Sequence, residues 1–110
     1  MQVQLFRRKE KLVVRLKGEL DHHSAQIFRG AVEKELMGNK VQDLILNMKS
    51  VTFMDSSGIG AILGRYKQVR ANDGKMVICS ASPHIQKILQ MGGIPKIIPL
   101  VGDEKNALEK

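Results

Sequence analysis

The sequence predicts an α/β fold with one mixed, mostly parallel sheet of four to five strands, three to four crossover helices and an N-terminal β-hairpin. Two observations lead to this prediction. Short apolar segments with strand-like patterns alternate along the chain with longer segments of helical periodicity. The first two strand-like segments, in contrast, are separated by only a few charged residues, which permits a hairpin but no crossover. The length of 110 residues predicts a single domain, residues 1–110.

The chain is predicted to begin with the hairpin. Residues 3–6 form its first strand, and residues 12–17 form a second strand in which apolar and charged side chains alternate. The basic run from Arg7 to Lys11 is predicted to be the solvated loop between them. A third, buried strand is predicted at residues 44–46, inside an apolar run bounded by polar residues.

A first helix is predicted between the second and third strands. The apolar period changes at Ser24, which is predicted to be the N-cap, and Gly38-Asn39 is predicted to end the helix. The polar run Gly18 to His23 is predicted to be a turn in which Asp21 or His23 bonds backbone N–H groups of the helix start. The apolar face consists of Ile27, Phe28, Ala31, Val32 and Leu36.

The second half of the chain repeats the alternation of strand and helix. A second helix extends to about Arg70, before the turn signal Asn72-Asp73-Gly74, and residues 76–79 are predicted to be a buried strand. Ser82-Pro83 begins a third helix, because serine is a good N-cap and proline is favoured at the first helical position. The apolar stripe of the second helix consists of Ile59, Ile62, Leu63, Tyr66 and Val69.

The C-terminal segment is predicted to contain one more strand and a short helix. Gly92-Gly93 ends the third helix, and Ile97, Ile98 and Leu100 suggest a last strand. Pro99 assigns this strand to an edge of the sheet, because proline cannot donate a ladder hydrogen bond. A short terminal helix is predicted from Asp103.

The composition limits the possible partners. The formal net charge of +7 would attract nucleic acid, anionic lipid or an acidic protein surface. One tyrosine and three phenylalanines supply all the aromatic rings, so no array for stacking unpaired bases is expected, and no nucleic acid partner. Without a long apolar stretch or an apolar leader, a cytoplasmic protein with no membrane partner is expected. The single cysteine, Cys79, is predicted to be a buried structural thiol.

No arrangement of residues suggests catalysis by this chain. The run Gly18 to His23 places carboxylates and imidazoles together, but adjacent side chains diverge and no His-x-x-x-His pair follows, so no metal site is expected. Ser56 and Ser57 do not lie in a Gly-x-Ser-x-Gly elbow. The pair Gly58-x-Gly60 lacks the further residues of a phosphate-binding loop. The chain is therefore expected not to be an enzyme.

The run Met54 to Gly60 places a serine at the start of the second helix. Asp55 and Ser56 suit an ordinary N-cap, yet the same position could hold a phosphate, because a helix N-terminus offers unpaired N–H groups and the positive end of the dipole. Glycines in this helix, at positions 58, 60 and 64, each cost about 1 kcal/mol relative to alanine. Something is therefore expected to approach this backbone closely, either the sheet beneath the helix or a partner protein above it.

Three runs together resemble the anti-sigma factor antagonists, which belong to the STAS domain class. They are Gly18 to His23, Phe53 to Gly58 and Leu63 to Gln68, and the resemblance covers nearly the whole chain. It is strongest to the members that act on the sporulation factor sigma-F. The resemblance implies that the unphosphorylated chain binds an anti-sigma factor that is also a serine kinase with bound nucleotide, and so releases the sigma factor. That kinase then inactivates the chain by phosphorylation, and a dedicated serine phosphatase reactivates it. The resemblance assigns ATP and magnesium to the kinase and therefore implies no cofactor for this chain.

The resemblance also implies roles for individual residues. The first serine after the aspartate, Ser56, is the phosphorylation site, and Asp21 lies in a loop beside it. Two further functions stay open: a STAS protein of a stress sigma factor pathway, or a basic nucleic-acid-binding domain. The residues expected to contact the partner are Asp21, Asp55, Ser57, Gly58, Gly60 and Gly64.

Overall fold

A computed structural model describes residues 1–38 and 40–110 and contains one five-stranded sheet. The strands lie in chain order, with β1 and β2 antiparallel and every later pair parallel. This mixed sheet with an N-terminal hairpin confirms the predicted fold class. The strands are β1 (Gln2–Arg8), β2 (Lys11–Leu20), β3 (Asp43–Met54), β4 (Met76–Cys79) and β5 (Leu100–Val101).

Four α-helices and one 3₁₀ turn connect or follow the strands. Within the described residues, no helix is long and apolar enough to cross a bilayer. The helices are α1 (His22–Met37), α2 (Ser56–Ala71), α3 (Pro83–Met91) and α4 (Glu104–Leu108), and the 3₁₀ turn is Ile94–Lys96.

The side chains of the strands alternate between two apolar clusters, one on each face of the sheet. The larger cluster joins the sheet to α1, α2 and α3, and includes Leu44 and Leu46 of β3 with Phe28 of α1. The smaller cluster lies on the opposite face, where Ile45 of β3 packs near Ala107 of α4. The sheet is thus covered by three helices on one face and by one short helix on the other.

The start of α1 differs from the prediction. Asp21 rather than Ser24 is the N-cap, and Ser24 is the third helical residue, where it completes a capping box with Asp21. The prediction that Asp21 or His23 bonds backbone N–H groups of the helix start is confirmed for Asp21. The predicted turn from Gly18 is also wrong in its first half, because β2 continues through Leu20. Pairing with β3 extends the strand to that point, where Leu20 lies opposite Met54. Gly38 caps the end of α1 as predicted, whereas Asn39 lies outside the described residues.

Strand β3 is also longer than its predicted residues 44–46. It has 12 residues, and its second half pairs with β2 after the shorter β4 has ended. The sequence of that half, Lys49 to Phe53, contains several exposed side chains and therefore lacks a continuous apolar run. Because β3 extends to Met54, the strand ends directly before Asp55.

The last strand begins later than predicted. Ile97 and Ile98 lie outside β5, and Ile98 is fully buried in the larger cluster. Pro99 precedes β5 and accepts a hydrogen bond through its carbonyl oxygen from Ile78 N at 3.0 Å. Ile98 thus anchors a loop in the core while Ile97 is exposed, and the predicted edge position of the strand is confirmed.

Candidate functional site

Two helices begin side by side at the carboxyl edge of the sheet. Leu20 and Met54 are paired residues at the ends of the parallel strands β2 and β3. The next residue of each chain segment, Asp21 or Asp55, is the N-cap of the helix that follows. Asp55 N lies 3.4 Å from Leu20 O, which links the two strand ends. The fold therefore brings two capping carboxylates and two helix N-termini to one edge.

Asp55 caps α2 through its side chain. Its Oδ1 accepts hydrogen bonds from Ser57 N at 2.9 Å and from Gly58 N at 3.3 Å. Ser56 is the first helical residue and is exposed. Since the aspartate does the capping, the Ser56 hydroxyl is not needed for it, and in the described part of the chain this hydroxyl makes no hydrogen bond. The cap and the candidate phosphorylation site are therefore different residues.

Asp21 caps α1 in a capping box with Ser24. Its Oδ1 accepts a hydrogen bond from Ser24 N at 2.9 Å, and Asp21 N donates to Ser24 Oγ at 2.9 Å. The one hydrogen of the Ser24 hydroxyl is shared between two acceptors, Glu19 O and, at 3.1 Å, Asp21 Oδ1. Hydrogen bonds from the Ser24 backbone and side chain lower the pKa of Asp21, because they stabilise its charged form. The carboxylate that caps α1 is therefore fixed and ionised at neutral pH.

The three glycines of α2 lie in different surroundings. A Cβ added to Gly58 would lie 2.7 Å from Leu20 O and 2.7 Å from Met54 Cγ, so this glycine lets the helix pack against the strand ends. A Cβ added to Gly60 or Gly64 would have no atom within 4 Å, helix backbone aside. The sequence left open whether sheet packing or an outside partner required these glycines. Packing explains Gly58 and leaves Gly60 and Gly64 unexplained.

A groove of about 270 Å³ runs between α1 and α2 and reaches Ser57. We call it the α1–α2 groove. Four nitrogen-bearing side chains line it, three from α1 and one from α2. The residues that matter for its chemistry are His22, Arg29, Ser57, Gly60, Gly64 and Arg65.

Arg65 is the unusual residue of this groove. Its side chain is 10% exposed, and Nη2 lies 3.7 Å from Glu33 Oε2 of α1. Nε and Nη1 are buried without a hydrogen-bond partner among the described residues. Burial lowers the pKa of Arg65, Glu33 raises it and Arg29 lowers it further. The guanidinium has thus lost water without a full set of partners.

Sequence reasoning missed Arg65 as a site residue. It entered only through the run Leu63 to Gln68, on which the family resemblance partly rests. Its spacing was a signal in the sequence, because Arg65 follows Ile62 by three residues and precedes Val69 by four. It therefore lies on the helix face of these two apolar residues, which the structure buries. An arginine on the buried face of a helix has to be compensated by some partner.

Comparison with known proteins shows the family of this chain. The model of the STAS domain family matches residues 2–107 of the chain. The chain belongs to the STAS domain family. This STAS domain is 38% identical to the anti-sigma F factor antagonist of Paenibacillus polymyxa, over 98% of this chain and 92% of that protein. The anti-sigma-B factor antagonist of Bacillus subtilis is 25% identical, over 87% and 86%.

This STAS domain also resembles solved structures of SpoIIAA, an anti-sigma factor antagonist. The unphosphorylated form has a TM-score of 0.87 at 32% identity, with 98% of this chain and 94% of that chain covered. The phosphorylated form, a Bacillus cell fate determinant, has a TM-score of 0.79 at 32% identity, with 98% and 97% covered. In the described part of this chain, no three His, Cys, Asp or Glu side chains are grouped to hold a metal ion.

Proposed function

We propose that this STAS domain is the antagonist of an anti-sigma factor that controls the sporulation factor sigma-F. In its unphosphorylated form it binds the anti-sigma factor and thereby releases the sigma factor. It acts as one cytoplasmic domain over residues 1–110 and is a regulatory binding protein rather than an enzyme. The observation that carries the proposal is the exposed Ser56 at the start of α2, where Asp55 already supplies the cap.

The switch is phosphorylation of Ser56 by the anti-sigma factor, which is also a serine kinase and uses its own bound nucleotide. A serine phosphatase reverses the modification. The first turn of α2 tolerates the phosphate, since its free N–H groups and dipole favour an anion by about 0.3–1 kcal/mol. The modified domain therefore keeps its fold, and inactivation acts at the interface.

Charge at the carboxyl edge explains how the phosphate weakens the complex. It adds about 1.5 to 2 negative charges beside Asp55, and the ionised Asp21 caps the neighbouring helix. In a packed interface, repulsion and loss of phosphate hydration cost a few kcal/mol, and about 1.4 kcal/mol corresponds to tenfold in affinity. Phosphorylation should weaken binding by orders of magnitude.

The proposed contact residues divide into two groups. Ser57, Gly60 and Gly64 line the surface next to Ser56 and are proposed to meet the partner directly. The other group positions that surface: Asp21 and Asp55 cap the two helices, and Gly58 holds α2 against the strand ends. The two carboxylates are proposed to contact the partner as well.

Mass spectrometry after incubation with the anti-sigma factor and ATP tests the proposal. We expect one phosphate per chain on the unaltered protein and on the matched control Ser57→Ala, and none on Ser56→Ala. Ser56→Ala should bind the anti-sigma factor like the unaltered protein, whereas Ser56→Asp should bind at least about tenfold more weakly. Phosphate on Ser56→Ala, or equal affinity of the two variants, would contradict the switch.

A STAS protein of a stress sigma factor pathway is the second candidate. The similarity to the anti-sigma-B factor antagonist supports it, although the identity is 25% rather than the 38% of the anti-sigma F factor antagonist. Binding to the two kinds of anti-sigma factor, each purified from the same host, separates the candidates. We expect the one that controls sigma-F to bind more tightly, and the reverse order would favour the stress pathway.

A further inference from the structure

We propose that the α1–α2 groove is an anion-recognition site that receives a carboxylate side chain of the anti-sigma factor, held by Arg65 and Arg29. The inference rests on the proposed function and adds a specific contact to it. Phosphorylation of Ser56 controls whether the complex forms, whereas this groove determines which protein surface fits beside the switch.

The glycines of α2 supply the first argument. Gly60 and Gly64 are four residues apart and therefore lie on the same face of the helix, where both line the groove. Alanine at either position would meet no atom of residues 1–38 and 40–110 within 4 Å, apart from the helix backbone. Each glycine nevertheless costs the helix about 1 kcal/mol relative to alanine. Because the fold of the chain does not require them, the open space above them is the feature that they preserve.

The incomplete set of partners around Arg65 supplies the second, independent argument. Its side chain is nine-tenths buried, yet Nε and Nη1 have no hydrogen-bond partner among the described residues. Its neighbour Glu33 is 3.7 Å away with a side chain 47% exposed to solvent, so this ion pair compensates the charge weakly. A second carboxylate would complete the pairing that a buried guanidinium needs.

Charge and size indicate the kind of occupant. Arg29 is exposed and lines the groove together with Arg65, and His22 lies at its α1 side. Two guanidinium groups favour a carboxylate, which they can bind with paired hydrogen bonds. The volume of about 270 Å³ is below the roughly 300–1,000 Å³ of pockets for free small molecules. A single acidic side chain of a docked protein therefore fits better than a free ligand.

The position of the groove connects it to the switch. Ser57, which lines the groove, directly follows Ser56 in the first turn of α2. A protein that reaches the Ser56 hydroxyl is therefore adjacent to the groove, and we propose that it extends over it. Its acidic side chain would be shielded from solvent on binding, which strengthens its interaction with the two arginines.

Charge reversal with a matched control tests the proposal. The Kd of the complex with the anti-sigma factor is measured for Arg29→Glu and for Lys34→Glu, an exposed residue of α1 that does not line the groove. Both variants change the net charge equally. We expect Arg29→Glu to weaken binding at least about tenfold and Lys34→Glu to change it less than about twofold. Arg65→Gln should weaken binding similarly, with urea unfolding as the check on its fold.

Filling the groove is the second test. Gly60→Leu places a side chain in it, while Gly30→Leu makes the same change at an exposed α1 position that also has no atom within 4 Å. We expect a loss of affinity for Gly60→Leu only. In a double-mutant cycle, replacing one aspartate or glutamate of the anti-sigma factor by alanine should weaken the unaltered complex and change the complex of an Arg29→Gln variant much less.

The outcomes separate this proposal from the proposed function. If the unaltered protein does not bind the anti-sigma factor, the proposed function fails and this inference fails with it. If it binds, and Arg29→Glu and Arg65→Gln bind as tightly as the unaltered protein, the proposed function stands and the proposed anion site is wrong. If Gly60→Leu weakens binding while Arg29→Glu and Arg65→Gln do not, anion recognition is likewise overturned, because the groove is then a contact surface without charge selection.

Discussion

Gly58→Ala should destabilise the domain, although alanine is the better helix former. The new Cβ would lie 2.7 Å from Leu20 O, 2.7 Å from Met54 Cγ and 3.0 Å from Leu20 Cγ. The methionine side chain can move, but the carbonyl oxygen belongs to the backbone of β2 and cannot move without disturbing the strand end. The variant therefore has to shift α2 away from the sheet.

The magnitude follows from two opposing effects. Overpacking of a buried site typically costs about 1–3 kcal/mol, and the closest approach, to a backbone atom, favours the upper half of that range. Replacing glycine by alanine inside a helix returns about 1 kcal/mol. We therefore expect the free energy of unfolding to fall by about 1–2 kcal/mol.

Urea unfolding of three variants measures this effect. Gly60→Ala lies in the same helix without any contact within 4 Å, and Gly30→Ala is the equivalent control in α1. Both controls should be more stable than the unaltered protein, by up to about 1 kcal/mol each. A Gly58→Ala variant as stable as the Gly60→Ala variant would refute the conclusion that packing against the strand ends requires this glycine.

Two further predictions concern charged side chains. Hydrogen bonds from Arg15 lower the pKa of Glu104 from 4.5 to about 2, so the pair stabilises the fold above about pH 4.5 and loses that contribution as the pH falls toward 2. Glu104→Gln should therefore lose less unfolding free energy between about pH 6 and pH 3 than the unaltered protein does, and equal losses would contradict the pairing. Asp55→Ala should cost about 1 kcal/mol in urea unfolding, whereas Asp55→Asn should keep most of the stability, since asparagine caps equally well. Equal losses for the two variants would argue against the cap.

Local signals in the sequence predicted most of the fold. Ser82-Pro83 and Gly92-Gly93 mark the ends of α3, and the apolar run at residues 76–79 coincides with β4. Such signals act over a few residues, through capping hydrogen bonds or the burial of consecutive side chains. The predicted strand boundaries were wrong where pairing across the sheet determines them, as at the ends of β2 and β3. The prediction of a strand at Ile97 and Ile98 was wrong for another reason, because one buried apolar side chain, Ile98, can anchor a loop while its neighbour is exposed.

The sequence likewise predicted one part of the candidate site and missed another. The sequence by itself placed Ser56 at the start of a helix and identified the run that resembles the anti-sigma factor antagonists. It could not assign the cap to Asp55, separate Gly58 from Gly60 and Gly64, or find the buried Arg65. These depend on the distance from α2 to the strand ends and to α1, which is set when the parallel strands β2 and β3 pair. The sequence therefore determined the position of the candidate phosphorylation site, and tertiary packing determined the surface around it.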